Sequence, residues 1–130
     1  YGPQAYNDLL AMEGQIRKTI TDGIDSSAII VVFITKDYIE KVNLGENRDF
    51  CCFEFNYAVD QKGTLRMIPV VMENRCRTPS EWKGIVGGFL ASTMYLDMFE
   101  HTNPSTFDRK CNELQREIVK RYTDFCNNGK

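Results

Sequence analysis

Residues 26–39 read SSAIIVVFITKDYI, and this stretch decides the fold. The run from Ala28 to Ile34 is apolar, largely β-branched and without alternation, which predicts a strand buried on both faces, as in a parallel sheet. The run ends abruptly at Thr35-Lys36-Asp37-Tyr38, where a short turn or helix is expected. The stretch therefore predicts an α/β fold, in which ligands meet the sheet beyond the carboxyl ends of the strands.

The next motif is residues 49–58, DFCCFEFNYA. Asp49 is a good N-cap for a helix from Phe50 to about Gln61, and this helix carries one carboxylate, Glu54, among aromatic residues and cysteines. Helical spacing predicts that Phe50 and Tyr57 flank Glu54, whereas Phe53 and Cys52 point elsewhere. Such a carboxylate can have a raised pKa and can stabilise a developing cation. On spacing alone, an ordinary solvated glutamate remains the alternative.

Working outward, the same patterns predict the remaining elements. They are a strand end at Ala5–Asp8, an amphipathic helix at Glu13–Ile24 with Ile16, Ile20 and Ile24 on one stripe, a second buried strand at Leu65–Met72, a short helix or turn at Trp82–Leu90, a short strand at Thr93–Met98 and a last helix from Pro104 or Ser105. Pro69 is expected at a sheet position where its missing N–H does no harm. Alternating strands and helices predict a doubly wound parallel sheet. Because four strands make a thin sheet, a further strand and helix are expected upstream of Tyr1.

Composition narrows the function classes. The 130 residues predict a single domain over 1–130, and a net charge of −2 argues against nucleic-acid or anionic-membrane partners. No apolar run approaches the roughly 20 residues of a membrane helix. Five cysteines without finger-like spacing indicate reduced thiols in a cytoplasmic protein and no metal site, and the single histidine, His101, makes a Cys/His nucleophilic pair unfavourable. No phosphate-binding glycine motif follows a strand, and Gly84-x-x-Gly87-Gly88 is expected to form a compact turn.

The segment after the first predicted strand has two interpretations. Asp8 ends that strand, and Leu9, Leu10 and Met12 form an apolar cluster in the connecting loop. The cluster either fastens the following helix to the core or offers an exposed contact to a partner. Tyr6, beside it, is either a core residue or a platform for a stacked ligand.

Taken in order, these motifs resemble the TIR (Toll/interleukin-1 receptor) domain, in its eukaryotic, NAD-cleaving type of branch. The resemblance covers Tyr6 to about Met98, and the ordered set carries it rather than any one motif. Its pieces are Tyr6-Asn7-Asp8, Met12-Glu13-Gly14, Ile16 with Ile20, the stretch from Cys51 to Ala58, the strand from Met67 to Glu73, Trp82 with Gly84, and Tyr95-Leu96-Asp97.

The resemblance implies a five-stranded, flavodoxin-like parallel sheet whose first strand and helix are absent from this sequence. Some TIR domains cleave the nicotinamide–ribose bond of NAD+ with a glutamate on the helix after the third strand, and Glu54 matches that residue. By the same comparison, Tyr6 matches an aromatic residue near the nicotinamide, and Phe50 replaces an aromatic residue one turn before the glutamate. Asp8 is expected to bind substrate with them, because the end of its predicted strand lies at the same carboxyl edge of the sheet as the loop before Glu54. Leu9, Leu10, Met12 and Gly14 correspond to the loop through which TIR domains assemble.

The expected function is therefore a cytoplasmic NAD+ glycohydrolase that is active on self-association in immune or cell-death signalling. NAD+ is its substrate, other TIR domains are its partners in a homo-oligomer, and no cofactor is expected. The first alternative is a non-catalytic adaptor in which the loop binds other TIR domains and Glu54 is incidental. A receiver-type flavodoxin-like domain is the second alternative, but the sequence lacks the aspartate cluster that a receiver needs.

Overall fold

A computed structural model describes residues 3–45, 50–99 and 103–128. Helices and strands alternate along these residues, with three short 3₁₀ turns between them. In chain order the elements are α1 (Pro3–Asp25), β1 (Ile30–Ile34), α2 (Lys36–Leu44), α3 (Cys51–Lys62), a 3₁₀ turn (Thr64–Arg66), β2 (Met67–Val71), 3₁₀ turns (Asn74–Cys76 and Pro79–Glu81), α4 (Ile85–Leu90), β3 (Leu96–Asp97) and α5 (Pro104–Asn128).

The three strands of the described residues form one parallel sheet in the order β1-β2-β3. Ile30 of β1 lies opposite Met67 of β2, and Val70 of β2 lies opposite Leu96 of β3. The central strand β2 is buried throughout, because β1 and β3 flank it and helices cover it. The prediction of a parallel, flavodoxin-like α/β fold is confirmed.

Apolar side chains cover both faces of the sheet. On one face, buried residues of β1 and β2 pack with Ile24 of α1 and with buried residues of α2, α3 and α4. On the other face, Ile68 and Val70 pack with Cys111, Leu114 and Ile118 of α5. Because successive strand residues point to opposite faces, one continuous apolar run supplies both cores.

Pro69 lies within the central strand and leaves no gap in its ladder. The N–H of Met72 donates to the carbonyl of Ile34 in β1 at 3.0 Å, so by the two-residue alternation of a strand the nitrogen of Pro69 faces β3. Pairing with β3 involves only Val70 and Val71, which come after the proline. The expectation that its missing N–H does no harm is confirmed.

The amino-terminal segment differs from the sequence-based expectation. The predicted strand end at Ala5–Asp8 and the predicted loop of Leu9, Leu10, Met12 and Gly14 both lie inside α1, so both predictions are wrong. The helical spacing of Ile16, Ile20 and Ile24 continues upstream through Met12 and Leu9, and a helix satisfies its backbone groups locally without a partner strand.

Trp82 and the glycines after it pack closely against neighbouring segments. The Trp82 indole N–H donates to the Cys76 carbonyl at 2.8 Å and its ring meets Tyr95 edge-on at 5.9 Å, so this tryptophan anchors the packing. Gly84 has a φ of +79° directly before α4, and a Cβ on Gly87 would collide with the Trp82 carbonyl. The short helix or turn predicted within Trp82–Leu90 is therefore the helix α4, and Gly87 and Gly88 lie inside it rather than in a compact turn. Strand β3 is shorter than the predicted Thr93–Met98, and the predicted N-cap Asp49 and His101 lie outside the described residues.

No helix among the described residues has the length and apolar character needed to cross a membrane.

Candidate active site

A cavity of about 300 Å³ lies between β1 and one face of α3. The α3 residues that line it are three or four positions apart, so one face of α3 lies over the cavity. The lining residues are Ile30, Val31, Val32, Phe33, Tyr38, Cys51, Glu54, Phe55, Ala58 and Met67. Four successive residues of β1 take part although their side chains alternate between faces, so the cavity runs along the edge of that strand.

Glu54 is the carboxylate of this cavity. Its side chain keeps access to solvent, yet enough protein surrounds the carboxyl group that burial raises its pKa above the usual range. Among the described residues no cation forms an ion pair with Glu54, so nothing offsets this burial. The group sits in the first turn of α3, where its backbone N–H donates to the Phe50 carbonyl at 2.8 Å. The structure thus brings the residue singled out from the sequence into a concave site.

Tyr38 and Cys51 share the cavity with Glu54, and neither was predicted from the sequence as a site residue. The backbone N–H of Tyr38 donates to the Thr35 hydroxyl at 3.0 Å, which caps α2 directly after β1. Burial raises the pKa of the Tyr38 phenol above its usual range, and the negative charge of Glu54 raises it further. The signal in the sequence was the threonine cap after the strand, which places the third residue of the new helix beside the sheet.

The aromatic residues of α3 are arranged differently from the prediction. Phe50 does not line the cavity; the Arg17 guanidinium of α1 lies 5.2 Å from its ring centre and 4.9 Å from that of Phe53. Phe53 stacks on Tyr57 at 6.1 Å, and the Tyr57 hydroxyl donates to Asp25 at 2.7 Å. Phe50 and Tyr57 therefore pack toward α1 instead of flanking Glu54, and Phe53 belongs to this row rather than pointing elsewhere.

The other predicted substrate-binding residues belong to α1. The exposed Asp8 carboxylate accepts a hydrogen bond from the Gln4 side chain at 2.9 Å, and Asp8 does not line the Glu54 cavity. The side chains of Tyr6 and Leu9 lie outside the described part of the chain. The expected partner-binding residues Leu10 and Met12 are 47% and 57% exposed, so they are accessible on the helix, although not on a loop.

A second cavity, of about 440 Å³, lies beyond the carboxyl ends of β1 and β2. Unlike the first, it has many charged lining residues: Lys36, Ile39, Glu40, Asn43, Arg75, Cys76, Glu81, Trp82 and Lys83. At its border the Glu73 carboxylate accepts the backbone N–H of Lys36 at 2.7 Å and pairs with the Arg75 guanidinium at 2.8 Å. These hydrogen bonds hold the pKa of Glu73 below its usual range.

None of the five cysteines forms a disulfide, and no group of three or more His, Cys, Asp or Glu residues in the described ranges could hold a metal ion. The polar groups in the Glu54 cavity are therefore those of Glu54, Tyr38 and Cys51.

A parallel sheet with helices on both faces defines an open-sheet α/β domain, and here a carboxylate-bearing cavity lies beside one strand. A family model described as the TIR domain matches residues 5–115. The chain belongs to the TIR domain family, as its ordered motifs predicted. Comparisons with curated proteins and with solved structures gave no match.

Proposed function

We propose that this TIR domain is an NAD+ glycohydrolase, as the resemblance to the NAD-cleaving branch implied, with Glu54 as its catalytic carboxylate. The observation that carries the proposal is the placement of Glu54 in an otherwise largely apolar cavity, where burial raises its pKa. A raised pKa and a concave site together are typical of functional carboxylates. The substrate is NAD+, and the reaction needs no cofactor.

The chemistry requires a group that stabilises positive charge. When the bond between the nicotinamide nitrogen and C1′ of ribose breaks, its electron pair leaves with nicotinamide, which becomes neutral, and the ribosyl group becomes an oxocarbenium-like cation. An ionised Glu54 stabilises that cation electrostatically, and the low polarity of the cavity strengthens the interaction. Water then attacks C1′, Glu54 accepts its proton, and ADP-ribose is released.

The dimensions of the cavity fit part of the substrate. At about 300 Å³ it lies at the lower limit for small-molecule pockets, so it would enclose the nicotinamide and its ribose rather than the whole dinucleotide. The nicotinamide ring of NAD+ is a planar cation, and the walls of Val32, Phe55 and Ala58 offer it apolar contact beside one negative charge. Residues beyond this cavity would contact the adenosine half.

The test is nicotinamide release from NAD+ by the protein clustered at high density on beads, with Glu54→Gln beside the wild type. The substitution keeps the shape and removes the charge, and we expect a loss of about 100-fold or more in rate. Glu40→Gln is the matched control, because Glu40 is an exposed helix glutamate whose nearest cation, Lys36, lies 3.9 Å away.

Wild-type protein that releases no nicotinamide under these conditions would reject the enzyme proposal. If Glu54→Gln still released nicotinamide at the wild-type rate, the protein would be an enzyme but Glu54 would not be its catalytic residue. A similar loss in Glu40→Gln would show that the assay reports general damage rather than the carboxylate.

A second function, self-association with other TIR domains in signalling, is favoured by a different observation. Leu10, Met12 and Ile16 in the amino-terminal half of α1 are 47%, 57% and 36% exposed, which leaves apolar surface available for a partner. We place both functions in the cytoplasm, where free thiols persist. This association either activates the enzyme or is the sole function, as in an adaptor.

Light scattering after size exclusion tests this association. Met12→Lys should reduce the apparent mass of concentrated protein, whereas Gln15→Lys adds the same charge at an exposed polar position of α1 and should not. Equal behaviour of the two variants would remove this surface from the interface.

A further inference from the structure

The position of Tyr38 is fixed by the strand that borders the Glu54 cavity. Thr35 follows the last residue of β1, and its hydroxyl accepts the backbone N–H of Tyr38 at 3.0 Å. This N-cap connects the first turn of α2 rigidly to the end of β1. The Tyr38 ring also packs against the buried core. The phenol is therefore carried by a regular element rather than by a loop.

Two helices supply the polar groups of the cavity. Cys51 and Glu54 lie about one turn apart on α3, and Tyr38 comes from α2. The remaining lining residues are aliphatic, apart from Phe33 and Phe55. Any substrate group that enters the cavity meets one carboxylate, one thiol and one phenol, and of these the phenol is the strongest neutral hydrogen-bond donor.

The surroundings of Tyr38 favour the protonated phenol. Burial raises the pKa of Tyr38 most, followed by the charges of Glu54, Cys51 and Cys52, and all four effects act in the same direction. A neutral O–H group can donate to the substrate without adding a positive charge that would oppose a forming cation. It cannot usefully donate to the ring oxygen of the ribose, because that would withdraw the electrons that stabilise the cation.

We propose that Tyr38 is a substrate-contacting residue whose hydroxyl donates a hydrogen bond to a ribose hydroxyl oxygen of NAD+ in the Glu54 cavity. The inference rests on the proposed function, and it adds a residue from a second helix to the site. Glu54 from α3 and Tyr38 from α2 together hold the ribosyl group while the bond to nicotinamide breaks.

The first test compares Tyr38→Phe with Tyr57→Phe. Each variant loses one phenolic oxygen, but the Tyr57 hydroxyl is bonded to Asp25, and Tyr57 does not line the cavity. We expect kcat/KM for NAD+ to fall about tenfold in Tyr38→Phe, the usual effect of one lost hydrogen bond, and to change less than twofold in Tyr57→Phe. Thermal unfolding of each variant verifies that it is folded. Equal kcat/KM values in the two variants would overturn the inference while Glu54→Gln still tests the function.

The second test does not depend on turnover. Tyrosine labelled with ¹³C at Cζ in the Glu54→Gln protein reports directly on each phenol when NAD+ is added. We expect the Tyr38 resonance to shift in a saturable way and the Tyr57 resonance to stay in place. A saturable shift at other labelled tyrosines with Tyr38 unmoved, or no shift at all, overturns the inference. Failure of the proposed function would be seen in a different measurement, the nicotinamide assay, in which the wild-type protein would then release no nicotinamide.

Discussion

Glu54 and Glu73 are the same residue type in opposite surroundings. Glu54 lies in a largely apolar cavity beside β1 with no cationic partner among the described residues, and burial raises its pKa. Glu73 lies beyond β2, where it accepts the Lys36 amide and the Arg75 guanidinium, and its pKa is lowered. Hydrogen bonds thus favour the charged form of Glu73, whereas burial disfavours the charged form of Glu54.

The contrast separates a structural carboxylate from a functional candidate. The bonds of Glu73 join the segment after β1 to the segment after β2, so its charge is used within the fold. Glu54 makes no such bond with its carboxylate in the described ranges, and its lone charge is available to a ligand. A carboxylate whose pKa is raised by burial and whose side chain lines a cavity is a candidate for chemistry.

The largest effect is expected from a substitution that fills the Glu54 cavity. Ala58 is buried and lines it, so Ala58→Leu should occupy the space that the substrate needs. We expect NAD+ cleavage to fall by more than about tenfold, with little change in the free energy of unfolding because the added methylenes enter existing space. Kinetics and urea unfolding measure the two effects.

Glu81→Leu is the companion variant, because it adds apolar volume at the second cavity. Its cleavage rate should stay within twofold of the wild type. A comparable loss of rate in this variant would mean that the second cavity takes part in the reaction.

The two carboxylates should also give opposite pH dependences of stability. Since the folded pKa of Glu54 is raised, its ionisation removes stability as pH rises from the ordinary glutamate range through the folded value. Glu54→Gln should therefore gain a few tenths of a kcal/mol at pH 7, a small amount because solvent screens the group. Since the folded pKa of Glu73 is lowered, Glu73→Gln should lose about 1 kcal/mol at pH 7, and the loss should disappear as pH falls through the folded value.

Urea unfolding of both variants and the wild type between pH 3 and 8 measures these differences. If the free energy of unfolding changed with pH in the same direction in both variants, the two carboxylates would not differ as described. The acid limb of the cleavage reaction should coincide with the raised pKa of Glu54, because the ionised form stabilises the cation.

The smallest effect is expected from Lys36→Ala. The bond from Lys36 to Glu73 uses its backbone N–H, which alanine retains, and its ammonium lies 3.9 Å from Glu40 at an exposed position. The free energy of unfolding should change by less than about 0.5 kcal/mol. A larger change by urea unfolding would show that the lysine side chain, and not the backbone, holds the two loops together.

The sequence predicted the sheet well because its signals are local. The apolar run of β1 and the run interrupted by Pro69 contain their own evidence of burial, and so does the helical spacing of α5. The segment upstream of Gly14 was predicted wrongly because its first residues have an extended character and the apolar residues after Asp8 match a connecting loop as well as a helix. An apolar stripe that extends from Ile24 to Leu9 indicates one helix, and helical hydrogen bonds need no partner segment.

The candidate site was only half predictable for a related reason. Glu54 could be found from its position on the helix after the buried strand. Two of its neighbours could not, because helical spacing placed Phe50 and Tyr57 beside it, whereas in the structure Cys51 and Phe55 line the cavity next to β1. The Thr35 cap indicates from the sequence where Tyr38 stands on α2, but its place beside Glu54 depends on how α2 packs on α3, which is a tertiary contact.

Asn43 has a consequence for the order of folding. Its side-chain amide donates to the Lys83 carbonyl at 2.8 Å, and its oxygen accepts the N–H of Ile85 at 3.0 Å. Gly84 has no side chain to cap α4, so α2 supplies the cap across some 40 residues of chain. A helix of six residues is too short to persist alone. Helix α4 should therefore form only after α2 has docked, which makes its folding a late event controlled by a long-range contact.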